Sequence, residues 1–262
     1  MISGVEALEE FRLEHLTYEE AEDFAGRGAV VLLPISPLEA HGPHLPLGVD
    51  FFGASTLADL SAAMLMEKDV PVVVAPVLPY ALADVAMPFA GTVSLNEETV
   101  MALIRDIAGS FLSHGFRGMV VICQHLERPN LAALKSAAAD ATEAGLPVTV
   151  VNPFLTSADK MVALMKGEFP ELDLHAGEWE TALCLWRFPE LVKQDVLQNL
   201  SPNWVNLREK LYEQGCRDFV EAGGTQCYFG DPSCATADLG RKIYEVLACA
   251  LTEEVVEWLK KI

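Results

Sequence analysis

The chain has 262 residues, of which 51% are hydrophobic, and its 38 acidic residues against 18 basic ones give a formal charge of -20. This length and hydrophobic content predict an α/β domain with a substantial core and exclude a fibrous or disordered chain. The negative field repels phosphate backbones and anionic lipids, so we expect no nucleic-acid or membrane partner and a small neutral or cationic substrate. An acidic surface that only keeps the protein in solution explains the charge equally well.

Six cysteines are spread through the chain without a C-x-x-C pair, and residues 1–24 are acidic and interrupted by charges. This pattern predicts no signal peptide or membrane span at the start of the chain. We therefore expect a cytoplasmic protein with free thiols.

Apolar runs that predict buried strands alternate along the chain with helical patterns. Thr17 with Glu20 three residues later forms a capping box, which predicts a first helix over residues 18–25. Strands are predicted over residues 29–35, 70–78, 116–123 and 147–151, and longer helices over residues 51–68, 96–113, 131–144 and 237–261. This order predicts an α/β protein with three layers, α-β-α, and a mostly parallel central sheet of about four strands. Residues 1–262 are expected to form a single domain, in which residues 152–170 are a long loop.

The polar stretch after the first predicted strand, residues 39–50, concentrates groups that bind metals. Glu39 and His41 are two residues apart, so in an extended segment their side chains point to the same side. A carboxylate and an imidazole together suit a divalent ion. The glycines and prolines of the stretch stiffen it and can return Asp50 as a third ligand. A lone E-x-H is more often a simple polar loop, and Asp50 can also serve as the N-cap of the next helix.

Two later segments carry titratable side chains that can join this loop. His125 and Glu127 follow the third predicted strand with the same spacing of two residues as the first pair. In open α/β sheets, ligands bind at the carboxyl ends of the strands. His175 and Glu180 precede a helical stretch, and two titratable groups beside a metal suit proton transfer. Glu180 can equally be a glutamate that stabilises the first turn of that helix.

Residues 39–50 read E-A-H-G-P-H-L-P-L-G-V-D and resemble the signature of the creatininase family, E-Q-H-G-P-H-L-P-L-x-T-D. The chain departs from this signature at Ala40 and Val49 only. Residues 175–182 resemble the family's H-A-G-x-x-E-T-S, and residues 230–240 resemble its closing G-D-P-x-x-A-T-x-E-x-G. These segments occur in the family's order and span most of the chain.

The resemblance implies two divalent metal ions. It assigns Glu39, Asp50 and His125 to one ion. It assigns His41, Asp50 and Glu127 to the other, so that Asp50 bridges the two. Five ligands with three carboxylates are also too many for one four-coordinate zinc that keeps an open position. The mixed nitrogen and oxygen ligands fit zinc or manganese.

The resemblance further implies an amidohydrolase that cleaves a non-peptide C–N bond in a small amide, cyclic amides included. A pair of divalent ions would lower the pKa of water from about 15.7 toward 7 and so provide a nucleophile at neutral pH. We expect His175 to protonate the leaving nitrogen, with Glu180 orienting it. Family members commonly form homohexamers, so a homo-oligomer is expected.

Other functions stay open. Relatives of this fold include hydrolases of formamides and enzymes that trim the end of a modified peptide. A metal-binding sensor without catalysis is a further alternative, because the chain departs from the family at Ala86, Ala90 and Arg128. The creatininase branch places tryptophans over its substrate. Here Phe154 follows the fourth predicted strand, and Trp179 is either a substitute for those tryptophans or a core residue.

Overall fold

A four-stranded parallel sheet forms the centre of the protein, whose computed structural model describes residues 10–262. In chain order the strands are β1 Val30–Pro34, β2 Val72–Val74, β3 Gly118–Ile122 and β4 Val148–Val151. They lie side by side in the order β2-β1-β3-β4, and every pairing is parallel. A parallel sheet is buried on both faces, which explains why these runs are continuously apolar and rich in valine.

Helices cover both faces of this sheet. They are α1 Tyr18–Gly26, α2 Val49–Met66, α3 Glu97–Ser113, α4 Arg128–Glu143, α5 Pro153–Thr156, α6 Ala158–Val162, α7 Glu178–Arg187, α8 Gln194–Leu197, α9 Leu207–Tyr212 and α10 Ala237–Leu259. Val30 and Leu32 of β1 pack in one cluster with residues of α2, α7 and α10. Val31 and Leu33 pack in another with residues of α1, α3 and α4. The predicted three-layer α-β-α fold with four strands is confirmed.

The second strand is shorter than predicted. The expected range was residues 70–78, but β2 ends at Val74, because the next donor that β1 would offer to this ladder is Pro34, which has no N–H. The chain returns to the sheet at Leu78, whose N–H donates to the Pro34 carbonyl at 2.9 Å. The apolar run therefore marks the extent of burial here, and not the length of the strand.

The prediction of a long loop over residues 152–170 is wrong, because α5 and α6 occupy part of it. Pro153 is the first residue of α5, a position that needs no helical N–H. Phe154 is 2% exposed and packs against Trp179 and Tyr244, with ring centroids 5.1 and 6.2 Å away. Phe154 and Trp179 are both packed in the core, and Trp179 also lines the cavity of the candidate site.

Two helix starts follow their local capping signals. The Thr17 hydroxyl accepts a hydrogen bond from the Glu20 N–H, and the Thr17 N–H donates to Glu20 Oε2 at 2.7 Å, which confirms the predicted capping box. α4 begins at Arg128, three residues before the predicted start, because Pro129 fits the first turn of a helix. This earlier start brings the first residue of α4 directly after the H-x-E pair.

The apolar helix α2 carries one of the predicted ligands. It begins at Val49 with Gly48 as its N-cap, so the alternative role of Asp50 as N-cap is wrong. Asp50 lies in the first turn, where the positive end of the helix dipole stabilises its carboxylate. By length and composition α2 could cross a membrane, but 67% of it is buried inside the fold, as in the core helix of a globular domain.

The strand order brings the two predicted ligand loops together. β1 and β3 are neighbours, yet the chain proceeds from β1 to the β2 side and from β3 to the β4 side. Such a reversal opens a crevice at the carboxyl ends of the strands. The loops that follow β1 and β3 both meet in this crevice.

Candidate metal centre

Buried acidic and histidine side chains meet at the carboxyl ends of β1 and β3. Seven residues predicted to form the site lie here, each no more than 6% exposed: Glu39, His41, Asp50, His125, Glu127, His175 and Glu180. Ionised groups are almost never buried without a partner, since removing a charge from water is expensive. The contacts among these side chains therefore decide what the site can hold.

Glu39, Asp50 and His125 form a first group whose ligand atoms lie within 4.8 Å of one another. His125 Nδ1 is 3.0 Å from Glu39 Oε2 and 3.3 Å from Asp50 Oδ2. These are the three residues that the family resemblance assigns to one ion.

His41, Asp50 and Glu180 form a second group of the same kind. His41 Nε2 lies 3.6 Å from Asp50 Oδ1 and 3.5 Å from Glu180 Oε1. The two oxygens of Asp50 thus face different histidines, and Asp50 belongs to both groups. Glu180 occupies the place in this group that the sequence assigned to Glu127.

Glu127 contacts the opposite side of the His125 ring. Its Oε2 is 3.4 Å from His125 Nε2, whereas Nδ1 of the same ring faces the first group. A carboxylate in this position holds a ligating histidine in its orientation and tautomer. Glu127 thus contacts His125 from outside the first group, and Glu180 is the third side chain beside His41 and Asp50, while the role of Glu127 as a ligand stays a prediction.

The hydrogen-bond pattern leaves ligand atoms without partners. His41 Nδ1 contacts the Glu39 carbonyl at 3.0 Å. A carbonyl can only accept, so Nδ1 carries the proton and, in a neutral ring, Nε2 points its lone pair at two carboxylates. Within residues 10–262, both Glu39 oxygens, Asp50 Oδ2 and His41 Nε2 have no hydrogen-bond partner. Such buried acceptors require positive charge among them, and a divalent ion fits this set.

The pKa values of these groups are shifted in the direction that places positive charge among the carboxylates. Burial raises the pKa of Glu39 to about 7. Burial opposes protonation of His41, but the carboxylates of Glu180 and Asp50 outweigh it and raise the pKa well above its usual value. Burial likewise opposes protonation of His125, but Glu39, Asp50 and Glu127 together more than compensate and raise the pKa of His125 well above its usual value. Positive charge belongs at this place, as a proton or as a metal ion.

His175 differs from the other two histidines. Its Nε2 donates to the Ala40 carbonyl at 2.8 Å, and its ring centroid lies 4.3 Å from that of His41. Burial and the nearby positive charge of His41 hold the pKa of His175 well below its usual value. His175 is therefore neutral at pH 7, with Nδ1 as the ring nitrogen that keeps a lone pair.

The predicted pairing of Glu180 with His175 is corrected by these contacts. Glu180 Oε2 accepts a hydrogen bond from the Ala176 N–H at 2.5 Å, and its other oxygen faces His41. Glu180 lies inside the first turn of α7, whereas His175 precedes that helix in a bridge with Phe229. The Ala40 carbonyl, and not Glu180, orients the His175 ring.

The second histidine of the signature joins the loop to α7. His44 is fully buried, and its Nε2 lies 2.9 Å from the Thr181 hydroxyl. Gly42 has a φ of +66°, and a Cβ at this position would stand 2.7 Å from His44 Nδ1. The Gly-Pro-His part of the signature therefore holds the loop against α7, the helix that carries Glu180.

A cavity of about 630 Å³ opens over these groups. The acids in its lining are Asp50, Glu127 and Glu180, and Gln124 also lines it. The Tyr244 hydroxyl donates to Gln124 Oε1, and Gln124 Nε2 has no partner among the described residues. No local pattern assigns Gln124 to the site, because its orientation depends on a tyrosine 120 residues away.

Basic residues that the sequence did not assign to the site also line the cavity: Arg128, Lys135 and Arg208. One signal for two of them was available, since Arg128 and Lys135 are seven residues apart and therefore share a helix face. Arg208 lies in a stretch without clear periodicity, and only the fold brings it to this place.

Comparison with known proteins identifies relatives that include a peptidase and an amidohydrolase. A mycofactocin precursor peptide peptidase from Mycobacterium tuberculosis is 28% identical over 241 residues, covering 87% of this chain and 85% of the relative. A creatinine amidohydrolase from Pseudomonas putida is 28% identical over 194 residues, covering 69% of this chain and 73% of the relative.

Solved structures share the fold. A creatininase described as the Mn form has a TM-score of 0.77 at 23% identity and covers 94% of this chain and 98% of its own. A mutant creatininase described as the Zn-Zn type has a TM-score of 0.77 at 22% identity, with coverage of 94% and 97%. A family model described as creatinine amidohydrolase matches residues 14–255. The chain belongs to the creatininase family of amidohydrolases.

Proposed function

We propose that the protein is a metal-dependent hydrolase that cleaves an amide C–N bond with two divalent ions at this centre. The observation that carries the proposal is the Asp50 carboxylate, whose two oxygens face His125 and His41 respectively. Glu39 and Glu180 complete the two groups around it. A bridging carboxylate between two sets of three ligands is typical of two-metal hydrolytic sites.

Charge and ligand chemistry support the same proposal. Glu39, Asp50 and Glu180 carry three negative charges when ionised, which two divalent ions more than neutralise. Zinc and manganese both suit the mixture of imidazole and carboxylate ligands, and the two solved relatives are described in Mn and Zn-Zn forms. When bound, such ions would polarise the substrate carbonyl and acidify water.

The chain's own residues would position the substrate and move protons. Gln124, held by Tyr244 through its oxygen, presents a buried amide N–H that can donate to the substrate carbonyl. His175 keeps its Nε2 proton on the Ala40 carbonyl, so Nδ1 can accept a proton from the attacking water. The same nitrogen can then give that proton to the departing amine, in the role that the sequence predicted for His175.

Two substrate classes fit this chemistry. The first is a small non-peptide amide, cyclic amides included, as the name of the Pseudomonas putida relative indicates. The second is the end of a peptide, as the name of the mycobacterial relatives indicates. The cavity volume of about 630 Å³ favours the second class, since volumes of about 300–1,000 Å³ accommodate ligands much larger than a single small ring.

Metal analysis and a substrate panel test the proposal together. Protein purified without chelators is expected to contain about two divalent ions per chain, and the panel contains creatinine, formamidopyrimidines and short peptides. Turnover of one class at a metal-dependent rate supports the proposal. Less than about one ion per chain, or turnover that survives complete removal of the metal, contradicts it.

The His175→Ala variant tests the proton-transfer role separately. It is expected to keep its metal content and lose about 10²–10⁴-fold in kcat, the usual contribution of general acid–base catalysis. Phe169→Ala is the matched control, because Phe169 is 39% exposed and is absent from the cavity lining. An unchanged kcat in His175→Ala would refute the assigned role.

A further inference from the structure

The outer part of the cavity has the opposite charge to its floor. Arg128, Lys135 and Arg208 are exposed, whereas the acids that line the cavity are all buried. None of the three basic side chains has a carboxylate within 4.0 Å among residues 10–262. Three of the chain's 18 basic residues thus stand unpaired around one cavity, in a protein whose formal charge is -20.

One face of α4 supplies most of this surface. Arg128, Leu131, Ala132 and Lys135 line the cavity at spacings of three, four and seven residues, which places them along one side of a helix. A helix rises about 1.5 Å per residue, so the two cations lie about 10 Å apart along its axis. Arg128 immediately follows Glu127, and the positive surface therefore begins beside the candidate metal centre.

Arg128 is held in place without losing its charge. Its guanidinium carbon lies 3.7 Å from the centroid of the Tyr212 ring, and its backbone N–H donates to the Tyr212 hydroxyl at 3.3 Å. A ring face attracts a cation but leaves the edges of a planar guanidinium free to donate. The fork of Arg128 is thus preformed for a planar anion such as a carboxylate.

A ligand inside the cavity responds to the charged side chains that line the cavity more than to the net charge of the chain. At physiological ionic strength the Debye length is about 8 Å, so most of the acidic surface is screened from a ligand inside the cavity. The expectation of a neutral or cationic substrate came from the summed charge of the chain. The arrangement of the lining residues supports the opposite sign.

We propose, on the basis of the amide-hydrolase function proposed above, that the substrate carries a carboxylate that binds Arg128, Lys135 and Arg208 while its amide lies over the metal centre. N-acylamino acids and short peptides with a free C-terminal carboxylate have this chemistry. Arg128 is the principal residue of the three, since it is oriented by Tyr212 and is nearest in sequence to the metal centre. Creatinine lacks a carboxylate and is excluded as the preferred substrate.

Matched substrates test this inference. The probe is a mixed-sequence pool of N-acetyl tripeptides, supplied as free acids and as the same peptides with C-terminal carboxamides. Wild-type protein loaded with Mn²⁺ or Zn²⁺ is expected to prefer the free acids by about tenfold in kcat/KM, because exposed charge pairs each contribute a few-fold. The preference should shrink as salt concentration rises.

Charge-removing variants locate the effect. The preference is expected to fall by about fivefold in Arg128→Gln and toward one in the variant that also carries Lys135→Gln and Arg208→Gln, mainly through KM. Arg105→Gln is the control, since Arg105 is exposed on α3 and does not line the cavity. Equal hydrolysis of acids and carboxamides by the wild type would overturn the inference and leave the hydrolase function standing.

Direct binding separates the two proposals. If neither pool is hydrolysed, binding of the free acids and carboxamides to the metal-loaded protein is measured by calorimetry. Binding of the free acids that is weakened in Arg128→Gln supports the carboxylate site while the hydrolase function fails. Absence of binding, or binding that is the same in Arg128→Gln, overturns the carboxylate site.

Discussion

The floor of the cavity, where the candidate metal centre lies, and its mouth, formed by Arg128, Lys135 and Arg208, differ in burial and in charge. At the floor, side chains from the loops after β1 and β3 and from the starts of α2 and α7 converge, each no more than 6% exposed. At the mouth, exposed basic side chains project from α4 and α9. The floor has a chemical requirement that few residue types meet, whereas the mouth needs only charge of one sign. If the mouth binds the substrate carboxylate as proposed, changes there would alter substrate choice without altering the reaction.

Electrostatics makes the two regions unequal in sensitivity. Two unit charges about 4 Å apart interact by about 4 kcal/mol at an effective dielectric constant of about 20, but by about 1 kcal/mol in water. The buried residues of the floor interact at the lower dielectric constant, whereas the exposed residues of the mouth are close to the situation in water. Substitutions at the floor should thus have effects that are larger and less dependent on salt.

The largest expected effect is that of Asp50→Asn, which removes the carboxylate that both groups share. We expect loss of most bound metal and a decrease in kcat on the order of 10³-fold or more, measured by elemental analysis and steady-state kinetics. Asp59→Asn on the same helix is the control. Asp59 is 7% exposed and pairs with Arg12 at 2.5 Å, so its loss should lower stability and leave the metal content intact. Full metal content in Asp50→Asn would contradict the bridging role.

The next largest expected effect is on metal binding, in which Glu180→Gln and Glu127→Gln should differ. Glu180 faces His41 and Asp50, so its loss is expected to reduce the stoichiometry from two ions per chain to one. Glu127 contacts only the outer nitrogen of His125 within the metal centre, so its loss should keep two ions and weaken metal affinity about 10–100-fold. Titration of the apoprotein with Zn²⁺ measures both quantities. The reverse order would restore Glu127 as the ligand that the sequence predicted.

The proximity of the side chains at the floor could be predicted because their sequence patterns are local, while their roles as ligands stay a prediction. Glu39 with His41, and His125 with Glu127, are pairs of ligand types two residues apart after a buried strand, and each pair reaches the crevice. Glu180 was harder to assign to the site, since glutamates are common in the first turn of a helix, where they stabilise the helix. Its partner His41 lies on another element, and no local pattern links the two.

The fold was predictable to a similar degree and for similar reasons. Valine-rich runs identified all four strands, and the capping box at Thr17 identified the first helix. The errors arose at prolines, since Pro34 interrupts the pairing of β1 with β2 and Pro153 begins a helix where a loop was expected. A proline restricts φ and removes an N–H, but its neighbours decide whether that stops an element or starts one.

Removal of charge from the mouth should have a moderate effect of a different kind. The combined Arg128→Gln, Lys135→Gln and Arg208→Gln variant is expected to lose most of its preference for free acids over carboxamides while retaining its metal. The residual preference should not respond to salt, unlike that of the wild type. A fall in metal content in this variant, measured by elemental analysis, would show that floor and mouth are coupled and would break the comparison.

The smallest expected effect concerns the packing that supports the floor. A Cβ at Gly240 in α10 would overlap the carbonyl oxygen of Ala182 in α7, the helix that carries Glu180. Gly240→Ala is therefore expected to destabilise the protein by about 1–3 kcal/mol, measured by denaturant unfolding. Gly109→Ala in α3 is the matched control, because a Cβ there meets nothing within 4 Å and should stabilise by up to about 1 kcal/mol. Equal effects would mean that the contact between α7 and α10 relaxes freely.

Anomalous diffraction from crystals of protein loaded with Mn²⁺ tests the shared role of Asp50 most directly. Two peaks are predicted, one on each side of the Asp50 carboxylate. The first should lie among Glu39, Asp50 and His125, and the second among His41, Asp50 and Glu180. A single peak, or peaks that do not contact Asp50, would contradict the two-metal account.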